Sequence, residues 1–260
     1  MISLRDKVSI ITGASSGIGQ GTAVLFARLG SKLVLSGRNS QALDETINQC
    51  DPETRKNIIK VVGDISKPDT CKMIVYESLE KFGKIDILVN NAGILKTAGI
   101  ETMQMNDYDE LMDTNIKAVI NLTQLCLPHL LEQKGSIVNV SSIAGSKTFP
   151  NILAYCMSKA ALDQFTKCVA LDLASRGVRV NAVNPGVILS NIQRRNGLTE
   201  EQYRQYLEDA KLNHAMGRPG HVIEVANTIA FLASDLASFI TGELVQIDGG
   251  RHLMGPIDNN

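Results

Sequence analysis

The chain has 260 residues, of which 44% are hydrophobic and 20% are charged, and its formal net charge is -1. This near-neutral balance gives no reason to expect nucleic acid or an anionic membrane as a partner. No apolar run approaches the length that crosses a bilayer, so we expect a cytoplasmic protein. The length suits one large α/β domain, and we predict a single domain over residues 1–260.

The five cysteines do not form a recognisable pattern. They are Cys50, Cys71, Cys126, Cys156 and Cys168, odd in number and never in a C-x-x-C arrangement. Zinc sites and disulfide frameworks need closer and more regular spacing. We therefore expect free thiols in a reducing compartment and no metal site.

Short β-branched runs alternate with longer segments of helical periodicity. The predicted strands are 8–11, 32–35, 58–62, 85–89, 136–140, 178–183 and 243–247, and predicted helices include 17–29, 41–50, 68–82, 107–133 and 154–175. The strands are continuous apolar runs, which is typical of strands covered on both faces. The alternation predicts βαβ units and a doubly wound, seven-stranded, mostly parallel α/β sheet with helices on both faces.

The segment 187–216, after the sixth predicted strand, is polar and charged and breaks this alternation. In doubly wound sheets, ligands bind beyond the carboxyl ends of the strands. The segment is therefore predicted to be either a lid over a substrate or a solvated surface helix, and the sequence leaves both interpretations open.

A glycine-rich turn, Thr12-Gly13-Ala14-Ser15-Ser16-Gly17-Ile18-Gly19, follows the first predicted strand. Glycines allow a tight turn and let a pyrophosphate approach the N-terminus of the next helix. The spacing differs from the general G-x-G-x-x-G fingerprint, and a glycine cluster alone is weak evidence. Its position between a strand and a helix favours a dinucleotide site.

Tyr155 and Lys159 are four residues apart on a predicted helix and so share a face. A ketone accepts hydride poorly unless its oxygen is protonated or polarised. An ammonium about 4 Å from the phenol would contribute on the order of 4 kcal/mol at an effective dielectric near 20. That would lower the phenol pKa from about 10 by up to roughly three units. The alternative is a phenol packed on the core face that Leu162, Val169 and Leu173 continue.

Several motifs in order resemble the short-chain dehydrogenase/reductase family in its single-domain Rossmann-fold form. They are the glycine turn, Asn90-Asn91-Ala92-Gly93, Asn115, Ser142, Tyr155 with Lys159, Asn184-Pro185-Gly186 and Ile240-Thr241-Gly242. The resemblance implies Tyr155 as general acid/base, Lys159 as pKa perturber and ribose ligand, Ser142 as oxyanion stabiliser and Asn115 as anchor of a water relay. For Ser141 a structural role in the turn is favoured.

The resemblance also implies a set of cofactor-binding residues. Asp64 and Ile65 are expected at the adenine, Val187 and Ser190 at the nicotinamide carboxamide, and Asn90 either near the ribose or as a clip between strand ends. The full set is Gly13, Ser15, Ser16, Gly17, Ile18, Gly19, Arg38, Asn39, Asp64, Ile65, Asn91, Ala92, Gly93, Tyr155, Lys159, Pro185, Gly186, Val187 and Ser190.

The end of the second predicted strand indicates which nicotinamide cofactor is used. In Rossmann sites an acidic residue there binds the ribose of NAD, whereas an arginine accommodates the phosphate of NADP. No carboxylate occurs from Ser31 to Leu43; Gly37 stands where NAD-preferring relatives usually carry aspartate, and Arg38 follows. A second basic residue, often found before Gly17 in NADP-dependent relatives, is replaced by Ser16. We expect NADP(H), with an NAD-dependent alcohol dehydrogenase as the alternative.

The predicted activity is hydride transfer between nicotinamide and a small-molecule carbonyl or secondary alcohol. The chain is similar to 3-oxoacyl reductases and to reductases of steroids and small ketones. Arg176 fits docking of an acyl carrier, but Gln133 stands where a second cation is expected. A non-catalytic dinucleotide-binding sensor or scaffold is the alternative from another class, and extended-branch epimerases are longer. Apolar residues on a second face of the Tyr155 helix, including Ala161, Phe165 and Cys168, favour a homo-oligomer, which by resemblance is a tetramer.

Overall fold

The structure is a computed structural model, and it describes residues 2–190 and 199–255. The strands are β1 (Val8–Thr12), β2 (Lys32–Gly37), β3 (Ile58–Val62), β4 (Ile87–Asn90), β5 (Ser136–Val140), β6 (Arg179–Pro185) and β7 (Leu244–Ile247). The helices of the described ranges are α1 (Gly17–Arg28), α2 (Ser40–Asn48), α3 (Pro68–Phe82), α4 (Met105–Met112), α5 (Ala118–Gln133), α6 (Leu153–Leu173), α7 (Glu200–Asn213) and α8 (Val222–Ala233).

The seven strands form one parallel sheet in the order β3-β2-β1-β4-β5-β6-β7. The chain builds outward from β1 to β3 and then returns to place β4 on the other side of β1. A sheet wound in both directions leaves a crevice at the carboxyl ends of its central strands, where ligands bind. The predicted seven-stranded, doubly wound α/β fold is confirmed, and every pairing between these strands is parallel.

Successive residues of the central strands fill two separate apolar layers, because side chains alternate across a sheet. Ile11 lies with Phe26 of α1 and Ile229 of α8 on one face. Ile10 lies with Ile74 of α3, and with Leu122 of α5, on the other face. The side chains of Ile10, Ile11 and Phe26 are fully buried, and each such burial contributes about 1.5–3 kcal/mol. Helices on both faces explain why the strands read as continuous apolar runs.

The predicted helix 107–133 differs from the structure in its middle. Helix α4 begins at Met105, a π-helical turn occupies Asp113–Lys117, and α5 then continues to Gln133. The fourth strand begins at Ile87, two residues later than predicted; just before it, the Asp86 carboxylate accepts a hydrogen bond from the Val8 amide (2.8 Å) at the amino ends of the central strands β1 and β4. The sixth strand extends to Pro185.

Within the predicted segment 187–216, residues 191–198 fall outside the described residues, including Arg194 and Arg195. Helix α7 begins with a capping box between Thr199 and Gln202. Tyr203 and Ala210 on this helix are buried, so α7 packs against the protein along one face. No helix in the described ranges has the length and apolar character that a membrane span requires.

Candidate active site

A cleft of about 880 Å³ opens at the carboxyl ends of the first six strands, β1 to β6. Nearly all of the predicted site residues line it: Gly13, Ser15, Ser16, Gly17, Ile18, Arg38, Asn39, Asp64, Ile65, Asn91, Ala92, Gly93, Ser142, Tyr155, Lys159, Pro185, Gly186, Val187 and Ser190. Gly19 and Asn115 are not among the lining residues. The sheet thus gathers residues from almost the whole length of the chain into one cleft.

The glycine turn is packed against the end of β4. Gly13 has a positive φ of 64°, and an added Cβ would lie 2.9 Å from the Ala92 Cα. An added Cβ at Gly19 would lie 2.4 Å from the Gly13 carbonyl oxygen. Asn91 fixes this contact, because its Nδ2 donates to the Thr12 carbonyl at 2.8 Å. Gly19, which was predicted to bind the cofactor, therefore allows the turn and helix to meet and does not line the cleft.

The first turn of α1 suits a phosphate. Ser16 is extended at the N-cap and its side chain makes no capping hydrogen bond within the described structure. The first helical residues, Gly17 and Ile18, line the cleft together with Gly13. Backbone donors at a helix N-terminus favour an anion. This donor set fits the pyrophosphate of a dinucleotide.

The cleft is also lined where β2 and β3 end, by Gly37, Arg38 and Asp64. A Cβ at Gly37 would lie 3.2 Å from the Ser15 Oγ, so a larger residue crowds Ser15. Arg38 is exposed on the cleft wall. Burial raises the pKa of Asp64, but hydrogen bonds from Ser66 and the charges of Arg38 and Lys67 outweigh it, so the pKa is lowered overall.

Two of the predicted residues use their side chains for structure. Asn39 caps α2, with its Oδ1 accepting from the Ala42 amide at 3.0 Å. The buried Asn90 donates from Nδ2 to Asn139 Oδ1 at 2.9 Å and to Thr123 Oγ1 at 3.3 Å. Asn90 is not a lining residue of the cleft, and these contacts match the interpretation of a clip between strand ends.

Tyr155 and Lys159 lie on one face of α6, as predicted, with the Lys159 Nζ 5.6 Å from the Tyr155 ring centroid. The predicted lowering of the phenol pKa is wrong for this structure. Burial raises the pKa of Tyr155 to about 12, against a hydrogen bond with Ser142 that lowers it. Burial also lowers the pKa of Lys159 to about 8. The physical reason is that both groups are desolvated, and the ammonium donates to the Val140 carbonyl at 2.8 Å.

Ser142 follows β5 and caps a 3-10 turn, Ile143–Gly145, by accepting the Ala144 amide at 3.1 Å. A serine hydroxyl has one proton to donate and can accept as well. Because the backbone amide uses an acceptor site, the hydroxyl proton is available to the Tyr155 oxygen or to a substrate oxygen. The hydrogen bond between Ser142 and Tyr155 places the two hydroxyls together on the cleft wall.

Asn115 lies in the π-helical turn and is 1% exposed. Its side chain accepts from the Ile94 amide (2.8 Å) and donates to the Ile94 carbonyl (3.0 Å) and to Ser158 Oγ (3.1 Å). Ser158 in turn donates to the Tyr155 carbonyl at 2.8 Å. Asn115 therefore ties the segment after β4 to α6, directly behind Tyr155. Its predicted role in a water relay stays a prediction.

Comparison with known proteins shows to which family this chain belongs. A family model described as "Enoyl-(Acyl carrier protein) reductase" matches residues 13–252. A 3-oxoacyl-[acyl-carrier-protein] reductase of Thermotoga maritima is 39% identical over 248 residues, covering 95% of this chain and 98% of the relative. This chain belongs to the short-chain dehydrogenase/reductase family.

Solved structures agree with this family assignment. A short-chain dehydrogenase/reductase of Caenorhabditis elegans, solved with cofactor, aligns with a TM-score of 0.91 at 37% identity over 97% of each chain. An aldohexose dehydrogenase of Thermoplasma acidophilum aligns with a TM-score of 0.87 at 33% identity, covering 99% of this chain and 98% of that one. The protein is therefore an oxidoreductase of this family with a single Rossmann-like sheet, and the family binds a nicotinamide dinucleotide.

The sequence reasoning missed a buried network behind this family site. Asn184 donates from Nδ2 to the Asp163 carboxylate at 3.0 Å and to the Ser142 carbonyl at 3.0 Å. Burial raises the pKa of Asp163, although hydrogen bonds from Ser141 and Asn184 and the charge of Lys159 act against it. The one available signal was spacing, since Asp163 is four residues after Lys159 on the same helix.

His214, after α7, was also missed. Its Nδ1 lies 2.7 Å from the Ala210 carbonyl, and its Nε2 accepts from the Val187 amide at 3.2 Å. These partners require the neutral ring with its proton on Nδ1. The ring is 3% exposed, so it forms a buried link between α7 and Val187, which lines the cleft. No periodicity in the sequence marks this contact, because it depends on how α7 packs.

Proposed function

We propose that this protein is an NADP(H)-dependent oxidoreductase that acts as a reductase of ketones and, in reverse, on secondary alcohols. The observation that carries this proposal is the hydrogen-bonded pair of Tyr155 and Ser142 on the wall of the cleft. With a pKa raised to about 12, the phenol is protonated at neutral pH and is ready to donate. That state suits reduction, in which the carbonyl oxygen gains a proton.

In the proposed mechanism, residues of the chain do the acid chemistry. When bound, the reduced nicotinamide supplies hydride to the carbonyl carbon. Ser142 donates a hydrogen bond to the carbonyl oxygen, and Tyr155 donates its proton there as negative charge develops. The Lys159 ammonium stabilises the phenolate that remains. We assign to Asn115 the anchoring of the relay through which Tyr155 recovers its proton.

The proposed dinucleotide position follows the cleft from the glycine turn to Val187. Gly13, Ser15, Ser16, Gly17 and Ile18 would hold the pyrophosphate. Asp64 and Ile65 would meet the adenine, Asn91, Ala92 and Gly93 would form the wall near the ribose, and Lys159 would reach the nicotinamide ribose. Pro185, Gly186, Val187 and Ser190 would surround the nicotinamide.

Preference for NADP(H) is supported by Gly37 and Arg38. An aspartate at position 37 would crowd Ser15, and the exposed guanidinium of Arg38 is well shaped for a phosphate. The T. maritima relative is named as a 3-oxoacyl reductase and the T. acidophilum neighbour as an aldohexose dehydrogenase. We propose a small carbonyl substrate, with the 3-oxoacyl class first among candidates.

Three further features belong to the same proposal. Residues 1–260 form one catalytic domain, in which 187–216 act as a lid over the substrate. The buried Tyr203 supports the lid, because its hydroxyl donates to the Ser190 carbonyl at 3.2 Å beside the cleft. The chain assembles as a homo-oligomer, a tetramer, which the fully exposed Phe239 and the exposed Leu171 on α6 support.

The test is an absorbance assay of NADPH and NADH oxidation with ketones of graded bulk. We expect turnover with at least one ketone class and a preference for NADPH. Arg38→Asp should move the ratio of kcat/KM for NADPH over NADH toward NADH by about tenfold or more, because a charge-assisted contact is lost. Arg5→Asp, at an exposed position that does not line the cleft, is the matched control. Cofactor binding without turnover of any ketone would instead support the sensor alternative.

A further inference from the structure

The end of the cleft beyond Tyr155 carries an arginine that the proposed mechanism does not use. Arg251 follows β7 in a 3-10 turn, Arg251–Leu253, and lines the cleft together with Phe149 and Tyr206. Its guanidinium carbon lies 4.8 Å from the centroid of the Phe149 ring. Tyr206 on α7 is near enough to influence the pKa of both Tyr155 and Arg251. Arg251 therefore lies at the same end of the cleft as the Tyr155 hydroxyl.

The guanidinium forms no hydrogen bond or ion pair with a carboxylate within residues 2–190 and 199–255, although, against the effect of burial, the charge of Asp248 acts to raise its pKa. The Asp248 carboxylate accepts hydrogen bonds from the Gly250 and His252 amides at 3.1 and 2.7 Å, and it lies 2.8 Å from the His252 Nδ1. Glu110, another carboxylate of the cleft wall, pairs with Lys96 at 2.8 Å. Among the described residues, no hydrogen bond or ion pair engages the Arg251 side chain.

The backbone around Arg251 is fixed by a second cation. The Lys147 Nζ donates to the Arg251 carbonyl at 3.1 Å and also to the Met254 carbonyl. Both side chains are partly buried; the Lys147 ammonium lies at the Arg251 backbone, and the Arg251 guanidinium lies over the Phe149 ring. The Phe149 ring offsets part of the desolvation of the guanidinium through its face. The planar donors of Arg251 still need an acceptor, and a carboxylate or phosphate matches their geometry.

We propose that the substrate is a ketone that also carries an anionic group, a carboxylate or a phosphate, which pairs with Arg251 while the carbonyl faces Tyr155 and Ser142. This inference rests on the proposed reductase function and narrows its substrate class. Arg251 then acts as a specificity-determining residue, whereas Lys159 and Arg38 belong to the cofactor half of the cleft. Neutral ketones of the same shape bind without the charge-assisted hydrogen bonds and are poorer substrates.

The binding test uses saturated carboxylic acids of increasing chain length and their primary amides, titrated calorimetrically into protein saturated with NADP⁺. For at least one chain length, wild type should bind the acid about tenfold or more tightly than the amide. Arg251→Gln should remove that difference, and Arg5→Gln, at an exposed position that does not line the cleft, should keep it. Alkyl phosphates of the same lengths tell which anion is preferred. Equal binding of acid and amide by wild type, or a preference that survives Arg251→Gln, overturns the inference.

The kinetic test uses an oxo acid and the matching oxo amide. Arg251→Gln should raise KM for the oxo acid about tenfold or more while leaving the oxo amide nearly unchanged. Unchanged NADP⁺ binding by the variant verifies that it is folded, and an equal loss on both substrates contradicts a specific anion contact. If wild type reduces no ketone with either cofactor, the reductase proposal fails, and the titrations still decide whether Arg251 binds an anion.

Discussion

Tyr155 is partly buried and Lys159 is buried, and the loss of solvent shifts their pKa values in opposite directions. It disfavours the charged form of each group, so the pKa of the phenol is raised to about 12 and that of the ammonium is lowered to about 8. At pH 7 both groups are mainly protonated, which is the state a proton donor with a cationic neighbour needs. As pH rises through about 8, Lys159 loses its charge, and activity that depends on it should decline.

Asp163 should influence the pH at which activity begins to decline. Its carboxylate raises the pKa of Lys159 against the effect of burial. Asp163→Asn keeps the shape of the side chain but removes the charge, so the pKa of Lys159 should fall. The alkaline limb of the kcat–pH profile should therefore move to lower pH than in wild type. Asp172→Asn, at an exposed position of the same helix, should leave the limb in place. A reduced kcat with an unshifted limb would mean that Asp163 has only a structural role.

At the scale of single residues, sequence spacing could predict which side chains meet but not their energies. The Tyr155–Lys159 contact follows from helix geometry, since residues four apart share a face. The direction of the Tyr155 pKa shift could not be predicted, because it depends on tertiary burial, with the hydrogen bond of Ser142 acting against it. For the same reason Arg251 carried no sequence signal, because its Phe149 neighbour is about a hundred residues away in the chain.

Among the elements, α7 is connected to the cleft through His214. The ring must be neutral to accept from Val187, and burial lowers its pKa from the usual 6.5; the charge of Arg251 acts in the same direction, while the Ala210 carbonyl and Asp248 oppose it. A lowered folded-state pKa means that the unfolded chain binds the extra proton more readily. The hydrogen bond between His214 and Val187 therefore contributes fully to stability above about pH 6.5. Its contribution decreases as the pH falls toward the pKa of His214 in the folded protein.

We predict that His214 accounts for part of the acid sensitivity of the protein. The midpoint of thermal unfolding should fall between pH 7 and pH 5 in wild type and fall less in His214→Gln, which cannot be protonated. His129→Gln, on α5, is the control and should follow wild type. NADP⁺ affinity at pH 7 should weaken in His214→Gln, since the Val187 amide loses its fixed partner. A pH dependence identical in all three proteins would contradict the assigned role.

The order of elements could be predicted almost completely, and their local irregularities could not. Seven apolar runs separated by helical segments allow few topologies when crossovers are right-handed. The π-helical turn at Asp113–Lys117 interrupts a pattern that reads as one helix, and it is needed where Asn115 reaches the Ile94 backbone. Such turns often occur at functional sites, but their sequences follow no simple period.

The whole molecule assembles its site from six strand ends, the N-terminus of α1 and one face of α6. The residues that line the cleft range from Gly13 to Arg251 in the sequence, and it takes the complete sheet to bring them together. This explains why the family resemblance could be extended residue by residue to most of the lining positions. It also explains why Phe149 and Arg251, which line the cleft as well, were not identified from the sequence.

The central claim is that Tyr155 supplies the proton for carbonyl reduction in a site that binds NADPH independently of it. The most direct measurement compares wild type and Tyr155→Phe for NADPH binding by fluorescence and for turnover of the best ketone by absorbance. The account predicts near wild-type binding and a loss of kcat of about 10²–10⁴-fold, the usual contribution of a general acid. Turnover by Tyr155→Phe close to the wild-type rate would contradict it.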